Sequence, residues 1–168
     1  MKTEHQKEPR KKNPEKDLNE FEWQKELEDL NKSVVQRYWE GKWNERRIDI
    51  LDDLQSKEVV YHGTSMKMNG IEEYRQAYQR YLNAFHPTRI TVEELIAEGD
   101  RVMSRVRLQG VHQGELEGLP ATGKKFSIIA FTVFRLHKGK IEEEWEMIDE
   151  LGLMQQLGME LLPGEAVH

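Results

Sequence analysis

Apolar positions along this chain change period once, from near 3.6 residues to 2. From Phe21 onward, Leu27, Leu30, Val34, Val35, Tyr38 and Trp39 recur at three- and four-residue intervals. That spacing predicts an amphipathic helix ending at or near Gly41. Ile48, Ile50, Leu51 and Leu54 predict a short second helix, and Glu58 to His62 a short strand stopped by Gly63. A third helix is predicted to start near Asn69-Gly70, with Ile71, Tyr74, Tyr78, Tyr81, Leu82 and Phe85 on one stripe, and to close at Pro87.

Beyond Pro87 the pattern alternates. Arg89–Glu98 and Val102–Glu115 flank a Gly99-Asp100 turn; Phe126–Leu136 and Ile141–Asp149 flank Lys138-Gly139, a second hairpin signal. Helices followed by a long antiparallel meander define an α+β chain whose helices cover one face of a strongly curved sheet. A two-residue turn at Lys138-Gly139 would pair His137 with Lys140, and from there Thr132 with Trp145, Ala130 with Met147 and Ile128 with Asp149. On that register Phe126, Ile128, Ala130, Thr132 and Phe134 share an apolar inner face with Ile141, Trp145, Met147 and Asp149. The opposite face carries Ile129, Phe131 and Val133 among Arg105, Arg107, Glu144 and Glu146. No helix remains to cover it, so a second subunit is its expected cover.

Composition narrows the class. Residues 1–20 hold Met1 and Leu18 as their hydrophobes, with six basic and five acidic side chains and two prolines. Such a segment reads as a flexible charged tail, leaving 21–168 as a single domain. A net charge of −6 argues against a nucleic-acid partner. Cysteine is absent, which excludes disulfides, Cys-ligated zinc, Fe–S clusters and thiol catalysis. No apolar run approaches the ~20 residues that span a bilayer, and the first sixteen residues offer no signal-peptide core. A cytoplasmic protein with no membrane partner is expected.

The C-terminal run from Phe134 to Gly158 resembles the SnoaL-like polyketide cyclase (ester cyclase) family. Phe134-Arg135, Gly139-Lys140-Ile141, Glu143 or Glu144 with Trp145, Asp149 to Leu153 and Gln156-Leu157-Gly158 carry the likeness. Gly110-Val111-His112-Gln113-Gly114, the Pro120 to Lys124 loop, Gly70-Ile71-Glu72 and Ala84-Phe85 extend it upstream. The resemblance implies a nuclear-transport-factor-2-like fold: a cone-shaped α+β barrel with three N-terminal helices packed on a curved, mainly antiparallel sheet. It also implies an apolar pocket for a hydrophobic small molecule, a homodimer through the outer sheet face, and intramolecular aldol ring closure of lyase or isomerase type without metal or cofactor.

The family uses one Asp as acid and base, and the resemblance carries that role to Asp149. Burial beside Ile128 and Met147 would make such a carboxyl a better base. Asp149 also precedes the helical run Leu153–Leu157, where it reads equally well as an N-cap. His112 lies on the Val102, Ser104, Val106, Leu108 side of its strand and is a candidate partner for Asp149 or for a ligand carbonyl. His62, Trp43, Tyr78, Leu108, Ile128, Thr132, Trp145 and Met147 are the candidate substrate contacts, although aromatics at helical spacing equally suit a plain core. Thr132 stands where relatives often carry an acidic or bulkier residue. His62, His112 and Asp149 could form a two-His, one-carboxylate metal set, but no close His pair supports it. A non-catalytic small-molecule-binding protein of the same fold is the alternative function.

Overall fold

A computed structural model describes residues 14–160. The region expected as a flexible tail therefore lies largely outside the described residues; within it, Pro14 already begins a helix. Proline suits a first helical position, where its missing N–H would have no partner. This helix, α1 (Pro14–Trp39), runs directly into a π-helical turn at Glu40–Asn44, in which the Glu45 N–H returns to the Glu40 carbonyl at 3.1 Å. Gly41 lies within the turn because a β-carbon there would sit 3.0 Å from Ile50. There follow α2 (Ile50–Leu54), β1 (Gln55–His62), β2 (Lys67–Asn69) and α3 (Ile71–Ala84). Then come β3 (Phe85–Glu98), β4 (Arg101–His112), β5 (Lys125–His137), β6 (Lys140–Ile148) and α4 (Glu150–Leu157). The third helix stops at Ala84, short of Pro87, and its C-terminal neighbours already belong to β3.

The six strands form one sheet in the order β2-β1-β6-β5-β4-β3, antiparallel except where β1 lies parallel to β6. Register shifts interrupt the β1–β6, β3–β4 and β5–β6 pairs, and such bulges bend a sheet and sharpen its twist. The bent sheet closes on α1 and α3. Tyr38, Trp39 and Phe134 meet edge to face, with ring centroids 5.3, 5.5 and 5.9 Å apart, where α1 crosses the strands. The chain is thus an α+β protein of the expected kind. No described helix is long and apolar enough to cross a membrane.

The inner rows of β4 and β5 are as the alternation predicts: Val102, Ser104, Val106 and Leu108 are buried, as are Phe126, Ile128, Ala130, Thr132 and Phe134. The inner row of β6 is different. Lys138 and Gly139 adopt the positive φ of a two-residue hairpin turn, and His137 pairs with Lys140 and Leu136 with Ile141. Glu142 is then an extra residue, so Arg135 pairs with Glu143, Thr132 with Glu146 and Ala130 with Ile148. A one-residue slip exchanges the two faces of a strand. Glu144 and Glu146 therefore face inward, and Trp145 and Met147 face outward, correcting the expected pairs of Thr132 with Trp145 and Ala130 with Met147. Met147 is 70% exposed and Glu144 completely buried.

Candidate functional site

Between α3, the π-turn and the concave side of the sheet lies a cavity of about 390 Å³. Met68, Phe85, Leu108, Phe126, Ile128 and Leu153 are among its apolar lining residues, and Lys42, Tyr61, Tyr74, Tyr78 and Glu146 line it as well. Of the carboxylates along the wall, Glu117 and Glu150 are exposed, whereas Glu146 is half-buried. Tyr61 donates to one oxygen of Glu146 at 3.2 Å and Thr132 to the other at 3.4 Å. A carboxylate that accepts at both oxygens keeps one orientation. Tyr61 is suited to donate, because burial, reinforced by Glu146, raises its pKa and keeps it a phenol.

A second carboxylate sits behind the wall. Glu144 accepts from Gln55 at 2.5 Å and from the hydroxyls of Tyr38 and Tyr74 at 3.0 and 3.4 Å. Lys42 donates to those same two hydroxyls at 2.7 and 2.6 Å. Two phenols in mutual contact thus bridge a buried ammonium and a buried carboxylate. The rings of Tyr38, Trp39, Tyr74 and Tyr78 surround the Lys42 Nζ with centroids 4.5 to 5.1 Å away. Burial pushes the Glu144 carboxyl up to about 7, against the pull of Lys42, Gln55 and Tyr38. Burial also pulls the Lys42 ammonium down, against the effect of Glu144 and Glu146. Burial, aided by Glu144, holds the phenols of Tyr38 and Tyr74 protonated.

The residues singled out from the sequence separate into four places. Trp43, Tyr78, Leu108 and Ile128 line the cavity, and Thr132 touches it through Glu146. His62, Trp145 and Met147 lie on the outer face: His62 stacks on Trp145 with rings 5.3 Å apart and contacts Glu143 at 2.9 Å. Asp149 is exposed and caps α4, accepting the Gly152 N–H at 2.9 Å. His112 is fully buried at the end of β4, where its Nδ1 accepts the Thr122 N–H at 3.3 Å, and it is not part of the cavity wall. His62, His112 and Asp149 do not converge, and no group of three or more potential ligands among the described residues is arranged to hold a metal ion.

Lys42, Tyr61, Tyr74, Glu144 and Glu146 are the polar residues that sequence reasoning did not place at the site. One signal was present: Lys42 falls four residues after Tyr38 and seven after Val35, continuing the apolar spacing of the first helix into the turn that follows it. A lysine at such a position needs a buried partner.

The fold is of the α+β cone type with a cavity against its sheet, and comparison with known proteins gives the family. The model of the SnoaL-like polyketide cyclases matches residues 33–157. Aklanonic acid methyl ester cyclase DauD of Streptomyces sp. (strain C5) is 31% identical over 134 residues, covering 77% of this chain and 80% of that protein. Among solved structures, TsrD from Streptomyces laurentii superposes with a TM-score of 0.70 at 27% identity, over 77% of this chain and 96% of its own. A SnoaL-like protein from Jannaschia sp. CCS1 shares the fold with a TM-score of 0.74 at 23% identity, over 80% and 95%. The chain belongs to the SnoaL-like polyketide cyclase family.

Proposed function

We propose that the protein closes a ring in a hydrophobic polyketide ester by intramolecular aldol addition, with Glu146 as the acid/base group and no metal or cofactor. The observation that carries this reading is the half-buried Glu146 carboxylate, fixed by Tyr61 and Thr132 on the wall of an otherwise largely apolar cavity. Glu146 removes a proton from a carbon next to a carbonyl. The resulting enolate carbon attacks a second carbonyl of the same molecule, forming a C–C bond and an alkoxide. The proton held by Glu146 then returns to that alkoxide, so carboxylate and substrate mass are both restored. The role expected at Asp149 passes to Glu146, because Asp149 points its carboxylate at the α4 backbone. The similarity to DauD, an aklanonic acid methyl ester cyclase, favours a methyl ester as substrate.

Incubation with aklanonic acid methyl ester and chromatography for a cyclised isomer of equal mass tests the proposal. A positioned acid/base group contributes about 10²–10⁴-fold in rate, so Glu146→Gln is expected to lose that much turnover. Ligand binding without turnover by the wild type would overturn the reading in favour of a non-catalytic binding protein. An undiminished Glu146→Gln rate would remove Glu146 from the mechanism.

Phe131 and Met147, both exposed on the outer sheet face, support a second proposal, a homodimer that covers this face. Ion-paired Arg105, Arg107 and Arg135 lie on the same side.

A further inference from the structure

The charged side chains that line the cavity are unevenly matched. Lys42 is the one basic residue among them, against Glu117, Glu146 and Glu150. Its charge is already answered, because the Tyr38 and Tyr74 hydroxyls that accept from its Nζ also donate to Glu144. Four aromatic rings enclose the rest of that ammonium. The acidic residues have neutral partners: Tyr61 and Thr132 donate to Glu146, and Ser65 meets Glu150 at 3.5 Å. Among the described residues, none of the three carboxylates is ion-paired.

Glu117 and Glu150 line the cavity and are also exposed, as are Thr64, Ser65 and Leu151, so these residues stand where the cavity meets solvent. No basic side chain lies among them. Tyr81, also on the wall, registers the imbalance: burial raises its pKa, Glu117, Glu146 and Glu150 raise it further, and Arg80 opposes them. One phenol is thus within reach of all three carboxylates. Glu117 is held in place by a two-residue turn. It and Gly118 have φ of 49° and 88°, while Leu116 and Leu119 exchange backbone hydrogen bonds at 3.0 and 2.8 Å. Turns with positive φ at both positions favour Asn, Asp or Gly first, so turn chemistry alone does not call for a glutamate there.

We infer that Glu117 and Glu150 form a charge filter at the mouth of the cavity, one that admits uncharged ligands and rejects carboxylates. A carboxylate that passed the mouth would lose its water, meet no free cation on the wall and face the like charge of Glu146. An ester of the same acid escapes each of these penalties. The filter rests on the proposed ligand site of the cyclase reading, but not on any chemistry performed there.

The probes are 2-anthroic acid and its methyl ester, fluorescent aromatics that differ by one charge at neutral pH. Fluorescence anisotropy follows their binding to the full chain. At low salt the ester is expected to bind more tightly than the acid, by about tenfold or more. An exposed charge contact is worth about fivefold at most. Glu117→Gln/Glu150→Gln is therefore expected to strengthen acid binding several-fold and to leave the ester unchanged; a purely structural role would weaken both alike. Raising salt from about 0.01 M to about 1 M shortens the screening length from about 30 Å to about 3 Å. That change is expected to narrow the wild-type preference much more than the variant's. Acid bound as tightly as ester by the wild type overturns the inference, as does binding of neither, or a double variant whose acid affinity does not rise. An ester preference reduced in the variant, without cyclisation of aklanonic acid methyl ester, keeps the filter and sinks the cyclase reading. Cyclisation that depends on Glu146, with acid and ester bound alike, does the reverse.

Discussion

The buried carboxyl of Glu144 makes stability depend on pH in a way that one substitution can isolate. Glu144 is completely enclosed, and burial lifts its pKa from 4.5 to about 7 despite Lys42 and the donors around it. The unfolded chain releases this proton near 4.5, while the folded protein keeps it until about 7. Between those values the folded state binds more protons, so stability falls as pH rises. The stabilisation linked to this proton is full below about pH 4.5 and is lost as pH climbs through about 7. At about 1.4 kcal/mol per unit, the separation corresponds to about 3 kcal/mol. Glu144→Gln removes the titration while keeping nearly the same shape. Urea unfolding followed by tryptophan fluorescence, from about pH 5 to pH 8, gives the difference between wild type and variant. Lys42 contributes in the opposite direction, because burial lowers its pKa and so favours the folded state as pH rises. The wild type is expected to lose about 3 kcal/mol more than Glu144→Gln across the interval. Parallel curves, or a wild type that gains on the variant as pH rises, would refute the reasoning. Such a result would mean that Lys42 and the two phenols keep Glu144 ionised at all these pH values.

Asp149→Ala removes the cap on α4 and is expected to cost about 1 kcal/mol in chemical denaturation, with turnover largely unchanged. A loss of about 10²-fold or more in turnover by the folded variant would instead return the acid/base role to Asp149. Phe131→Lys places a charge on the outer sheet face, where Phe131 is 48% exposed. Sedimentation is expected to show a dimeric wild type and a monomeric variant, and a monomeric wild type would dismiss the interface.

Much of the fold could be read from the chain because most of its elements are regular. Val102, Ser104, Val106 and Leu108 alternate with mostly polar neighbours, so one face of β4 is apolar by inspection and proves to be the inner one; β5 carries hydrophobes on both faces, and Phe126, Ile128, Ala130 and Phe134 prove to be its inner row. Leu108 and Ile128, from those inner rows, line the cavity together with Trp43 and Tyr78. The three-residue strand β2 is too short to show any period, and the start of α1 at Pro14 is hidden by a charged segment with almost no hydrophobes to mark a stripe.

The chemistry was harder to read, for a reason confined to a few residues. In Ile141–Asp149, Ile141, Trp145 and Met147 fall on odd positions and glutamates on 142, 144 and 146, so simple alternation points to the wrong face of β6 as the inner one. The turn at Lys138-Gly139 fixes the first two pairs, but nothing in the run marks the extra residue Glu142, and no glycine stands there to suggest a bulge. That single insertion reverses every later side chain on the strand. It turns Glu146 into the cavity and Met147 out of it, leaving Asp149 just beyond the strand as a helix cap. The same reversal explains Lys42. If Glu144 were solvated on an outer face, the buried lysine of the π-turn would have no anion to answer it; with Glu144 inside, both charges belong to one network bridged by Tyr38 and Tyr74. The spacing of Lys42 from Val35 and Tyr38 is therefore evidence about the register of a strand a hundred residues away. The requirement that buried charges be paired would have selected the bulged register over the simple hairpin.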